Sequence, residues 1–182
     1  MNNVKVIKLG NPLLRLVSKL IPDNEYGTNE LRRLSEKLFN VMKVESGLGL
    51  AAPQIGINKR AIVFGMEQHP VRTDLPPIPY TVLFNPSFEP ITDETYDDYE
   101  GCLSVGSLRA KVSRYKSIVY RGFDAEGNLI EREVSDLHAR VIQHEIDHLD
   151  GVIFLDRVTD YHSMGFHDEL TLAGTFKSKE AD

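Results

Sequence analysis

Residues 143–148 read Gln-His-Glu-Ile-Asp-His, and no other stretch restricts the fold of this chain so tightly. His144 and His148 are four positions apart, so on an α-helix both imidazoles project from one face and converge on a single cation. Glu145 then lies about 100° around from His144, close enough to reach a water on that cation without being a ligand. The His-Glu-x-x-His spacing is a zinc-hydrolase signature. The plain alternative is a solvated helix whose histidines and acids make ion pairs.

The 182 residues predict a single catalytic domain over 1–182, with a polar tail that frays from about 177. A net charge of −6 argues against nucleic-acid binding, which needs a basic patch or stripe. The first ten residues lack a signal-peptide apolar core and no stretch approaches membrane-spanning length, so no membrane association and a cytoplasmic location are expected. Cys102 is the single cysteine, which rules out an intrachain disulfide.

Periodicity places the elements around the motif. Gly10-Asn11-Pro12 reads as a turn into a short helix. Thr28 is the expected N-cap of a longer helix whose core face is Leu31, Leu34, Leu38 and Met42. Gly47 and Gly49 end it and open an irregular segment to Gly56. Residues 60–66 and 80–84 read as strands, separated by a Pro-dense loop with Pro70, Pro76, Pro77 and Pro79. Residues 112–123 predict one strand, turned at 124–128 into a partner at 129–134. Asp136 is placed to cap the histidine helix, and the apolar run 152–155 predicts a short strand. Strands grouped between helices give an α+β class, with mixed or antiparallel sheets around a central helix carrying the His-Glu-x-x-His motif.

Two histidines leave a catalytic metal one protein ligand short. A third His six residues beyond the second is one common solution, but Phe154 stands there. A downstream glutamate is another, and Glu169 is the one available before the tail; with it the chain reads as a metallopeptidase. Cys102, in Glu100-Gly101-Cys102-Leu103-Ser104, is the better third ligand, and its thiolate with two imidazoles suits zinc or a softer ion such as ferrous iron. Upstream, Gly47-Leu48-Gly49-Leu50-Ala51-Ala52-Pro53-Gln54 lets backbone pass close to a ligand and offers the Gln54 amide, without the Gly-Lys-Ser/Thr ending of a phosphate loop. A non-catalytic peptide-binding module that keeps this shape would require Glu145 to be replaced or a fourth protein ligand to close the site, and the sequence shows neither.

In this order the three segments closely resemble the peptide deformylase family, whose motifs are Gly-x-Gly-x-Ala-Ala-x-Gln, Glu-Gly-Cys-x-Ser and Gln-His-Glu-x-x-His; every specified position is present, and the likeness runs from about residue 6 to 158. The resemblance implies Cys102, His144 and His148 as metal ligands, Glu145 as acid/base, and Gln54 with the Leu103 N–H as holders of an oxyanion. It implies one divalent ion, Fe2+ foremost, with Ni2+, Co2+ or Zn2+ as substitutes. The implied substrates are N-formylmethionyl peptides of nascent chains, with formate released. A transient ribosome contact is also implied, although no clearly basic helix follows residue 158.

For the methionine side chain Leu48 and Val141 are candidate walls, unless they simply pack the core; Gly49 and Gly101 are candidate backbone partners for the peptide. Arg109 either contacts substrate or makes a surface ion pair, and Asp147 either orients a ligand or pairs with an arginine. The chain departs from the family pattern at Gly106, where many members carry proline, and in a longer loop at 66–79.

Overall fold

A computed structural model describes residues 4–69 and 72–175; the tail expected to fray from 177 and Pro70 of the loop lie outside the described residues. The turn after Gly10 is a 3-10 turn, Pro12–Arg15, with Asn11 accepting the Leu13 N–H. Helix α1, Asn29–Val44, begins where expected, because the Thr28 hydroxyl accepts the Leu31 N–H. Its apolar stripe is buried.

Strands β1 (Gly49–Ala51), β2 (Ala61–Met66), β3 (Ile78–Pro90), β6 (Ser117–Phe123) and β7 (Leu129–Ser135) make a five-stranded antiparallel sheet in the order β1-β2-β3-β6-β7. Strands β4 (Thr95–Cys102), β5 (Gly106–Tyr115) and β8 (Gly165–Phe166) form a second antiparallel sheet. Helix α2, Asp136–Leu149, carries the motif histidines, and α3 covers His167–Leu172. The class is α+β, as expected.

Strand β2 shows why the sheet needs two covers. Ala61 and Val63 join the cluster of Leu34, Leu38 and Met42 from α1, whereas Ile62, Phe64 and Met66 join Val141, Ile142 and Ile146 from α2. Successive strand side chains point to opposite faces, so a run that is apolar at every position belongs to a strand buried on both. The motif helix is therefore held against the sheet by its apolar residues, while its histidines face the second sheet.

Four local expectations are corrected. Residues 112–123 are not one strand: β5 ends at Tyr115 and β6 starts at Ser117, in different sheets. The break is held by Gln143, whose side-chain amide accepts from Tyr115 N at 3.0 Å and donates to Tyr115 O at 2.9 Å, while Lys116 N turns to Glu94 O. Residues 152–155 are not a strand, since Asp156 accepts the Ile153 N–H and closes a 3-10 turn over Phe154–Arg157. Asp136 does not cap α2; Ser135 holds the N-cap position, and Asp136 sits at φ 54 with its carboxylate accepting from the Ser135 hydroxyl. Residues 47–56 are more regular than expected, with β1 followed by a 3-10 turn at Ala52–Ile55. Among the described residues no helix is long and apolar enough to cross a membrane.

His138, in the first turn of α2, packs against the rings of Phe64 and Tyr120 at centroid distances of 5.6 and 5.8 Å, and its buried Nε2 has no hydrogen-bond partner among the described residues. Burial, with the nearby Arg132 charge, lowers its pKa from 6.5 to about 4. Above pH 6.5 the ring is neutral whether the chain is folded or unfolded, so it contributes no pH dependence there. Between 6.5 and about 4 only the unfolded chain takes the proton, so stability drains away as pH falls. His138→Phe should therefore flatten that slope, recovering about 1–2 kcal/mol at the acid end once partial exposure is allowed for. Urea melts of both proteins at pH 7 and 4.5 measure it; parallel losses would clear His138 of the effect.

Candidate active site

Helix α2 presents His144 and His148 one turn apart, with ring centroids 5.0 Å from each other. Facing them, Cys102 ends β4 where the β4–β5 register shifts, and its Sγ lies 3.2 Å from His148 Nε2. One ligand atom from each of Cys102, His144 and His148 falls within 4.8 Å of the others, the single such group of three among the described residues. A tetrahedral ion with ordinary Zn–S and Zn–N bonds needs an S···N separation of ~3.6 Å, comparable to the 3.2 Å between Cys102 Sγ and His148 Nε2, so the donor set fits a divalent cation. Glu169, the alternative ligand, is exposed on α3 outside this group.

A buried carboxylate with no role assigned from the sequence, Glu100, locks this geometry. It accepts from Nε and Nη2 of Arg114 (2.9 and 3.0 Å), from Arg140 at 2.8 Å, and pairs with His144 Nδ1 at 2.9 Å. With Nδ1 engaged, His144 turns Nε2 toward the other donors, the usual arrangement behind a metal-bound imidazole. Arg114 also reaches Asp147 at 2.6 Å, and Arg157 caps the same carboxylate, so Asp147 pairs with arginines rather than with a ligand. Burial alone would raise the Glu100 pKa, but the bonds from His144 and Arg114 hold it well below the ordinary carboxylate range. Burial likewise opposes charge on both histidines. On His144 the bonds to Cys102 and Glu100 prevail and raise its pKa; on His148 burial beside His144 and Arg114 lowers it.

Glu100→Gln should weaken metal affinity about 10–100-fold, the usual loss when the partner of a metal-bound His is removed. Chelator competition measures it, with a thermal melt alongside because two buried arginines lose part of their compensation. Unchanged affinity in a folded variant would mean that the His144 ring is held by packing alone.

Glu145 is buried, and its Oε2 has no hydrogen-bond partner among the described residues. Burial pushes its carboxyl up to about 7. Gly49 lies close beside it, where a Cβ would displace the Glu145 carboxylate. Gln54 is anchored by Ala51 N on its Oε1 (2.8 Å), which aims its Nε2 at Cys102 Sγ (3.5 Å) and Ser104 Oγ (3.2 Å). The Leu103 N–H finds no acceptor among the described residues. The N-terminal segment laces these loops from behind: Ile7 N donates to Gln54 O, Leu9 N to Ser104 O, and Lys8 Nζ to Leu103 O. Gly106 adopts φ 90 opposite Cys102 in the hairpin, a conformation that a proline ring forbids.

A cleft of about 500 Å3 opens over the group, lined by Leu48, Gly49, Gln54, Gly101, Cys102, Leu103, Val141, His144 and Glu145. Of the resemblance-derived site residues and the substrate-pocket candidates, all except His148 line it, and Asp147 and Glu169 do not; His148 is buried beside Cys102. Leu137, one turn before Val141 on the same helix face, also lines it and was missed, although its spacing was visible. Arg109 makes no ion pair among the described residues. Its guanidinium donates to Gly106 O and Leu108 O and lies over Gly101, where a Cβ would meet Cζ at 2.3 Å.

A buried Cys-His-His group beside an unpartnered glutamate, at the floor of an open cleft, is the constellation of a mononuclear metallohydrolase. The polypeptide deformylase family profile matches residues 3–164. Peptide deformylase 1 of Bordetella pertussis is 44% identical over 91% of this chain and 93% of its own length. Peptide deformylase 1 of Prochlorococcus marinus is 45% identical over 93% and 88%. Among solved structures, a Met-Ala-Ser-bound class I type b peptide deformylase from Acinetobacter baumannii superposes with a TM-score of 0.82 at 33% identity, covering 87% of this chain and all of that one. A plant peptide deformylase gives 0.77 at 32% identity, over 94% and 87%. The chain belongs to the peptide deformylase family, a family of metal-dependent hydrolases.

Proposed function

We propose that Cys102, His144 and His148 hold one divalent ion and that Glu145 is the acid/base in removing formate from N-formylmethionyl peptides of nascent chains. The observation that carries this is the buried, unpartnered Glu145 Oε2 beside the three-donor group and across from the Gln54 amide. A bound divalent ion supplies Lewis-acid activation of water and of the carbonyl oxygen. Glu145, with a pKa near neutrality, takes the proton from the attacking water and returns it to the leaving amine. Gln54 Nε2 and the Leu103 N–H are poised as donors to the oxyanion. Leu48 and Val141, joined by Leu137, form the apolar wall for the methionine side chain, and Gly49 and Gly101 offer backbone to the peptide. A formyl carbon carries only hydrogen, so it fits at the three-donor group where the methyl of an acetyl group would crowd.

The decisive experiment compares formate release from formyl-Met-Ala-Ser with acetate release from acetyl-Met-Ala-Ser, using protein purified without oxygen. Rapid loss of formate alone is expected; equal rates, or neither, would overturn the reading.

Ferrous iron is the proposed native ion, and the cytoplasm the proposed location, within one catalytic domain. Iron-loaded enzyme should lose activity under peroxide far faster than nickel-loaded enzyme, with added oxygen on Cys102 or lost iron seen by mass spectrometry. Equal decay, with Cys102 unmodified and both metals retained, would remove the case for iron. A transient ribosome contact stays part of the proposal; co-sedimentation with ribosomes is its test.

A further inference from the structure

The family-wide match ends at residue 164, yet the chain goes on to build part of the substrate cleft. Asp160 accepts the His162 N–H and, through its carbonyl, the Ser163 hydroxyl, forming a 3-10 turn over Tyr161–Ser163. The buried Ser163 Oγ also accepts Lys111 N at 3.0 Å, which fixes the turn to β5. From that anchor β8 adds itself to β5, pairing Gly165 with Arg109 and Phe166 with Leu108. Helix α3 then folds back so closely that a Cβ on Gly165 would stand 3.0 Å from Leu170 Cγ. His167 and Thr175 thereby line the same cleft as Cys102, His144 and Glu145.

Adjacency fixes which part of a bound peptide this segment meets. Gly101 lies under the Arg109 guanidinium, and Arg109 is the strand partner of Gly165, two residues before His167. On the proposed reading, a peptide with its formyl end at the ligand group and its methionine side chain against Leu48 and Val141 would pass Gly101 and Arg109 as it leaves the cleft. We propose that residues 165–175, beyond the end of the family-profile match, form a specificity wall in which His167 and Thr175 hydrogen-bond the peptide downstream of its first two residues. This rests on the deformylase reading and assigns a further subsite to it.

The test is peptide length. In the full chain, His167→Ala/Thr175→Ala should raise KM for formyl-Met-Ala-Ser-Ala amide about 3–10-fold, the loss of one or two hydrogen bonds. It should leave kcat, and both constants for formyl-Met-Ala amide, unchanged. Asp168→Ala, exposed on α3 and away from the cleft lining, should match wild type on both peptides. Equal effects on the two peptides, or none on either, would overturn the wall. Failure of the deformylase reading looks different, since the wild type would then release formate from neither peptide. The length comparison would in that case be read from calorimetric binding of Met-Ala amide and Met-Ala-Ser-Ala amide, where only the longer one should lose affinity in the double variant.

Discussion

Glu145→Gln protein should keep its fold and its metal while turnover falls about 10²–10⁴-fold, the contribution of a general base. The substitution is nearly isosteric, which matters because the side chain is buried and lies against Gly49. What changes is chemistry: an amide cannot take a proton from water or hand one to an amine. The Cys102, His144 and His148 side chains are untouched, so metal content measured on the same sample should stay stoichiometric. A metal-replete variant that turns over near the wild-type rate would remove Glu145 from the mechanism. A variant that loses metal as well would show that the carboxylate helps to hold the ion.

Cys102→Ser should lose metal and activity together. A neutral hydroxyl is a far poorer ligand than a thiolate, and the shorter side chain withdraws from His148 Nε2, which lies 3.2 Å from the sulfur. Gln54 Nε2 keeps an acceptor in Ser104 Oγ, so the loop should survive and the defect should be confined to the ion. Metal analysis beside a formate-release assay decides it: stoichiometric metal in the purified variant would mean that Cys102 is not a ligand.

Much of this site was legible because its chemistry is written in local spacing. His144 and His148 share a helix face by their separation alone, and Thr28 marks its helix start by a side chain that acts within three residues. The third proposed ligand was legible by residue type, since Cys102 sits in a glycine-bearing segment with no disulfide partner. What escaped was long-range. The break at Lys116 depends on Gln143, 28 residues beyond Tyr115, matching an amide to a strand's backbone groups. Strand β4, rich in acids and tyrosines, has no alternating apolar pattern; it is a strand because β5 pairs with it and Arg140 binds its carbonyls at Tyr96 and Asp98. Glu100 read as an ordinary motif residue, because its partners Arg114, Arg140 and His144 are distant in sequence. Asp136 misled as a cap, since the strand-to-helix turn places it at positive φ.

The brace of Glu100, Arg114 and Asp147 bears on how this protein handles different ions. In small zinc modules the chain is unfolded until the ion arrives, so binding and folding are one equilibrium. Here the donors are already oriented by protein contacts: His144 by Glu100, Cys102 by its hairpin and the Gln54 amide, and the motif helix by apolar packing against the sheet. If the proposed ion binds here, these protein contacts would hold its ligands in place as it loads. On the proposed reading, one ion would replace another without the polypeptide passing through a disordered state, and the resident ion would follow supply and ligand preference rather than the history of folding.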